Sequence, residues 1–141
     1  MATPSIIPRA EGEGGLGTST YGWGGLHVTN TTASSATEGG YVILAANDGA
    51  VMGDNHRLGV IQFKGAEDTG GTLSIGARIE AICRDAWDGS NNDADLEFYT
   101  TNGTTESKVL TLDADKKAIF AGTIGSVNYK TIWVDAGAMV P

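Results

Sequence analysis

The sequence predicts an all-β protein built from short antiparallel strands. Three observations carry this. Apolar and polar residues alternate at period two in run after run. Clusters of Gly, Asn, Asp and Thr punctuate those runs at short intervals. No helix-length window keeps a helical apolar stripe without a Gly or Pro interrupting it.

The elements follow in chain order. Residues 1–28 carry Pro4 and Pro8 and many glycines, which disfavour a ladder position. They predict an extended N-terminal arm, with Ile6, Ile7, Leu16, Tyr21 and Trp23 as apolar anchors. Residues 29–40 (TNTTASSATEGG) predict a polar linker, and 41–122 a β-structured region. YVILAA (41–46) predicts its first strand, closed by the turn Asn47-Asp48-Gly49. LGVIQFK (58–64) predicts the next, and residues 66–71 turn the chain. TLSIGARIEAICRD (72–85) is the longest candidate. Ile75, Ala77, Ile79, Ala81 and Cys83 share one of its faces by period two; Arg78, Glu80 and Arg84 share the other with Ile82. DGSNNDAD (88–95) reads as a polar loop. LEFYT (96–100), KVLTL (108–112) and AIF (118–120) complete the series, joined through residues 101–106 and 113–117. Residues 123–141 begin one more strand, leading to a C-terminal end or a further domain.

Composition narrows the function. Seventeen acidic against nine basic residues give a net charge of −8, and Lys116-Lys117 is the only adjacent basic pair. Such a surface repels phosphates, which excludes a nucleic-acid partner. Cys83 is the only cysteine, so no internal disulfide forms. The N-terminus lacks a signal-peptide pattern, and no apolar run approaches the ~20 residues that span a bilayer. The expectation is a soluble chain made in a cytoplasm, without membrane insertion.

Candidate chemistry is sparse. Gly12-Glu13-Gly14-Gly15-Leu16-Gly17 fits the dinucleotide spacing, but Pro8 precedes it and TSTYGWGG cannot start the required helix. A glycine-rich turn is the better reading. The oxygen-rich loop from Asp85 to Asp95 does not keep the calcium-loop spacing, so it reads as a solvated turn. His27 and His56 are the only histidines, too few for a zinc site within one chain. Cys83 falls mid-strand on an apolar face and reads as an inert thiol. No nucleophile elbow occurs, and Glu80 with Glu97 reads as a chance carboxylate pair. Trp87 borders the polar loop and reads as packing over a hairpin end rather than as a sugar platform. No catalytic, cofactor or metal residue is assigned, and no enzyme activity is expected.

Two architectures fit these pieces. Many inward candidates are small, among them Ala45, Ala77, Ala81, Ala94, Ala118 and Ala121. A sandwich ~10 Å thick wants large side chains from two inner faces. Small inward residues suit a narrow axis where identical chains complete one another. A monomeric carbohydrate-binding sandwich and a piece of a multi-chain β-structure both remain open.

A likeness runs through LGVIQFKGAED and ARIEAICRDAWDGSNNDADLEFYTTNGTTESKVLTLDADKKAIFAG, and through PRAEGEGGLGTSTYGWGGLHV near the N-terminus. These phrases, covering roughly residues 6–28 and 58–122, resemble modules of tailed-bacteriophage fibre and appendage proteins. The resemblance implies an elongated homotrimer, intertwined or side by side, and a structural role in the virion. A tail fibre with host attachment is the main form; a head fibre or capsid decoration trimer is the alternative. It further implies docking to other virion proteins through Ile6, Ile7, Pro8, Leu16 and Trp23, and a host-surface glycan or protein as the distal partner. The expected trimer core is Ile75, Ala77, Ile79, Ala81, Leu96, Phe98, Leu110 and Leu112.

Overall fold

The computed structural model describes residues 24–123. The expected docking anchors Ile6, Ile7, Pro8, Leu16 and Trp23, the glycine run 12–17 and the expected C-terminal strand lie outside the described residues. The chain divides into two units at Ile43/Leu44.

In the described part of the first unit, residues 24–43, no strand forms. The polar stretch 29–40 folds back on itself. Asn30 Nδ2 donates to Glu38 Oε2 at 3.0 Å and to the Gly39 carbonyl at 3.3 Å, while Asn30 Oδ1 accepts the Thr32 N–H. Gly40 lies so close to Val28 that a Cβ there would fall 2.8 Å from the Val28 carbonyl oxygen.

The second unit is all-β in its described part, with no helix. Its strands are β1 (Arg57–Ala66), β2 (Leu73–Cys83), β3 (Ala94–Asn102), β4 (Thr105–Leu112) and β5 (Ala118–Phe120). They form one antiparallel five-stranded sheet in the order β1-β2-β3-β4-β5. Short polar connections make consecutive strands neighbours, the simplest antiparallel solution. The β3–β4 loop is two residues long, and Gly103 at its first position takes φ 62°, the conformation such a turn demands. In the β4–β5 turn Lys116 takes φ 67°, and Asp113 closes the loop by accepting the N–H groups of Lys116 and Lys117.

All five strands coincide with runs expected from the sequence. The strand expected at 41–46 does not form. Pairing, not composition, makes a strand, and no described strand pairs with this run. The other departures are register shifts. Val109 is an extra residue in β4, so Leu110 opposes Phe98 while Lys108 opposes Tyr99. Strict alternation would have put Lys108 on the face of Leu110 and Leu112. The bulge turns it to the opposite face. On β2 the extra residue is Gly76, which leaves Ala77 opposite Phe63 and Ile75 opposite Lys64.

Candidate functional site: a two-faced sheet

The register sorts side chains into two unlike faces. One face is apolar and runs in rows across the strands. Ile61, Ile79, Phe98, Leu110 and Phe120 oppose one another in turn, one residue from each strand. The adjacent row is Gly59, Ala81, Leu96, Leu112 and Ala118. A third begins with Phe63 and Ala77 and turns polar at Thr100 and Ser107.

No described strand or helix covers this face. Ile61, Phe63 and Phe120 are 51%, 54% and 50% exposed. Leu96 and Leu112 are also exposed. Leu44 covers only one corner, where it crosses Gly59 so closely that a Cβ on that glycine would meet the Leu44 Cβ at 2.7 Å. The row is exposed at its two ends, Ile61 and Phe120, and half-buried at Ile79, Phe98 and Leu110 between them, an amount of open apolar surface that is unusual on a solitary domain.

Seven expected core residues share this face: Ala77, Ile79, Ala81, Leu96, Phe98, Leu110 and Leu112. The eighth, Ile75, does not join them. The Gly76 shift pairs it with Lys64, and it shares a cleft with Thr101 and Glu106 of the other face. Ile61, Phe63 and Phe120 complete the face but escaped the sequence reading. Their signal was the alternation Gly59-Ile61-Phe63 in β1; only the register joins it to the rest.

The opposite face is a lattice of charges. Glu80 and Glu97 stand directly opposite each other on β2 and β3, only 3% and 8% exposed. The pair read as chance from sequence is therefore a real cross-strand neighbour. Like charges so placed repel unless each has its own cation. Glu80 has two: Arg78 Nη2 at 3.0 Å and Arg57 Nε at 2.7 Å. The Arg57 contact is Coulombic, because its geometry does not make Glu80 Oε2 a hydrogen-bond acceptor. Arg78 also reaches Glu106 at 2.9 Å and stacks on the Tyr99 ring, 3.9 Å from its centroid. Glu97 accepts from Lys108 Nζ at 2.6 Å and from the Tyr99 hydroxyl at 2.5 Å. Three cations and three carboxylates thus cancel, with Tyr99 linking the two halves.

Two titrations record this packing. Burial pushes the Glu97 carboxyl up, but Lys108 and the Tyr99 hydroxyl outweigh it and hold it below its ordinary 4.5. Burial, then donation to Glu97, pushes the Tyr99 phenol up to about 12. A carboxyl whose pKa is lowered by folding stabilises the fold above its unfolded pKa. That contribution is lost as pH falls through the lowered value. Urea denaturation below pH 4.5 is therefore expected to show falling stability, and Glu97→Gln to flatten that fall. Identical acid slopes for the two proteins would contradict the ion-pair assignment. A carboxylate held ionised by fixed cations has no proton to give as a general acid.

The remaining candidates fall into packing roles. Cys83 is fully buried, and burial raises its thiol pKa. A thiol reagent at mildly alkaline pH is expected to leave the folded chain unmodified and to label it once urea unfolds it; rapid labelling of the native chain would contradict this placement. Trp87 donates its indole N–H to the Asp93 carbonyl at 3.0 Å and its backbone N–H to Met52, so it ties the loop together. Within that loop Asp88 Oδ1 accepts from the Ser90 N–H, the Ser90 hydroxyl and the Asn91 N–H, which lowers the Asp88 pKa. That oxygen serves the turn. Among the described residues no group of three or more His, Cys, Asp or Glu is placed to hold a metal ion. His56 Nδ1 accepts the Gly53 N–H at 3.1 Å, and His27 Nε2 lies 2.9 Å from the Thr29 hydroxyl. No described helix is long and apolar enough to cross a membrane.

No protein-family model matches the chain, and no curated protein matches it in sequence.

Proposed function

We propose that the chain is a structural subunit whose apolar sheet face is buried against copies of itself, in a homotrimeric fibre of the tailed-phage type. The observation that carries this is the inverted distribution of burial. Two carboxylates are among the most buried side chains of the sheet, while isoleucine, phenylalanine and leucine stand open on its other face. A chain evolved to stand alone would bury the second set first.

Of the two apolar rows, one carries a taper suited to three copies; the Ile61–Phe120 row is large from edge to edge and does not distinguish three copies from two. Five strands spaced ~4.8 Å make a sheet ~24 Å wide, so three such sheets enclose an axis ~7 Å from each; side chains reach ~5 Å from a sheet. A triangular section is deepest at mid-face and narrow at its corners. The Gly59-Ala81-Leu96-Leu112-Ala118 row follows that profile, with small residues at both edges and leucines between. A flat two-sheet sandwich asks for no such taper.

The fibre assignment rests on the resemblance of residues 6–28 and 58–122 to phage appendage modules. In this reading the N-terminal arm docks to another virion protein, most naturally of the tail, and the charged face is turned outward. The role is geometric: the copies hide one another's apolar faces and present an acidic exterior. Sedimentation velocity tests the fibre form. The expected particle is a trimer with an elongated frictional ratio; a compact, near-spherical particle would overturn it.

A further inference from the structure

We infer that residues 41–46 (YVILAA) add as a strand to the outer edge of β1 in a neighbouring copy. The inference deepens the self-assembly reading and rests on it.

Four observations lead there. First, the run has the composition of a fully buried strand. Tyr41, Ile43 and Ala45 alternate with Val42, Leu44 and Ala46, so both of its faces are apolar. Second, it is unused in the single chain. No strand forms there, and Tyr41 and Ile43 are 76% and 73% exposed. Third, β1 is an edge strand with no described partner on its outer side. Its register shifts leave a regular stretch from Gly59 to Phe63, long enough to take a strand of this length. An open edge with Ile61 and Phe63 exposed on it is a template for a further strand.

Fourth, the chain does not use its own edge. Leu44 crosses over Gly59 on the apolar face instead of lying alongside β1. The connection from Asn47 to His56 is held by local bonds: Asn47 accepts the Gly49 N–H, Asp48 the Ala50 N–H, and His56 the Gly53 N–H. A second copy is the occupant that fits. Around a three-fold axis each copy gives its run to the next and receives one in turn, which closes the ring. At the corner between two sheets, both apolar faces of the added strand find cover.

The test is Ile43→Pro, which removes one ladder donor from a residue outside the five strands. Dissociation on dilution is followed by light scattering, with Leu26→Asp as a control at an exposed apolar residue outside the run. The expected result is an unchanged far-ultraviolet sheet signal and a dissociation midpoint raised at least ~10-fold for Ile43→Pro, with little change for the control. Amides 41–46 are also expected to exchange slowly in the assembly and fast in dissociated chains. If the unaltered chain assembles but Ile43→Pro leaves the midpoint unchanged and amides 41–46 exchange fast in the assembly, strand addition is wrong and the face-to-face reading stands. A native chain that never assembles overturns both.

Discussion

Replacing Phe98 with aspartate is expected to yield a folded chain that no longer assembles. Phe98 lies at the centre of the Ile61–Phe120 row, opposite Ile79 on one side and Leu110 on the other. In the isolated chain Phe98 is only half-buried, so a carboxylate there still reaches water and costs less than in a closed core. In the assembly the same carboxylate would be buried among phenylalanine, isoleucine and leucine without a cation. Loss of the ring alone removes about 3 kcal/mol, and burying the charge adds to it. The expected fall in association is at least ~100-fold. Circular dichroism would retain the sheet signal while light scattering reports single chains. Gln62→Asp, on the opposite face of β1, is the matched control and is expected to assemble normally. Unimpaired assembly of Phe98→Asp would place the interface elsewhere.

The second large effect is on folding, not assembly. Glu80→Ala is expected to cost about 3 kcal/mol in urea denaturation at fixed protein concentration. It leaves Arg78, itself mostly buried, with Glu106 and the Tyr99 ring as remaining partners, and strips Arg57 of its carboxylate. Breaking a buried ion pair from one side is costly because the other charge stays behind. Arg57 is half-exposed and water compensates it, which keeps the cost at the lower end of the range. Lys108→Ala should cost less, about 1 kcal/mol, since Lys108 is nearly half-exposed. Equal costs at the two positions would contradict the lattice as described.

These two substitutions separate the sheet's faces by function. On the proposed reading the charged face stabilises the single chain and the apolar face serves association. Acid and heat would act on the first; dilution would act on the second.

Particular residues show how much of this was legible in the sequence. Five strands were readable because period-two alternation and Gly-, Asn- and Asp-rich turns both survive in a single sequence. The run at 41–46 misled because its composition is that of a strand, while partnership is a property of space. Ile75 was misplaced, and the facing of Lys108 was not readable, for a shared reason. One extra residue, Val109 or Gly76, reverses the facing of everything beyond it, and no composition rule announces a bulge. The Glu80–Glu97 opposition was invisible because seventeen acidic residues make any one pair unremarkable until register fixes it. The small-residue argument for a narrow axis proved only half of the pattern. Alanine and glycine do mark Gly59, Ala81 and Ala118, but the neighbouring row is large throughout.

The central claim is that one chain is an incomplete structure. Light scattering of the purified chain across a dilution series tests it most directly. The account predicts a stable mass of three times 14.5 kDa that falls to 14.5 kDa only at high dilution. A folded chain of 14.5 kDa at every concentration would contradict it, because the open apolar face would then have no copy to cover it.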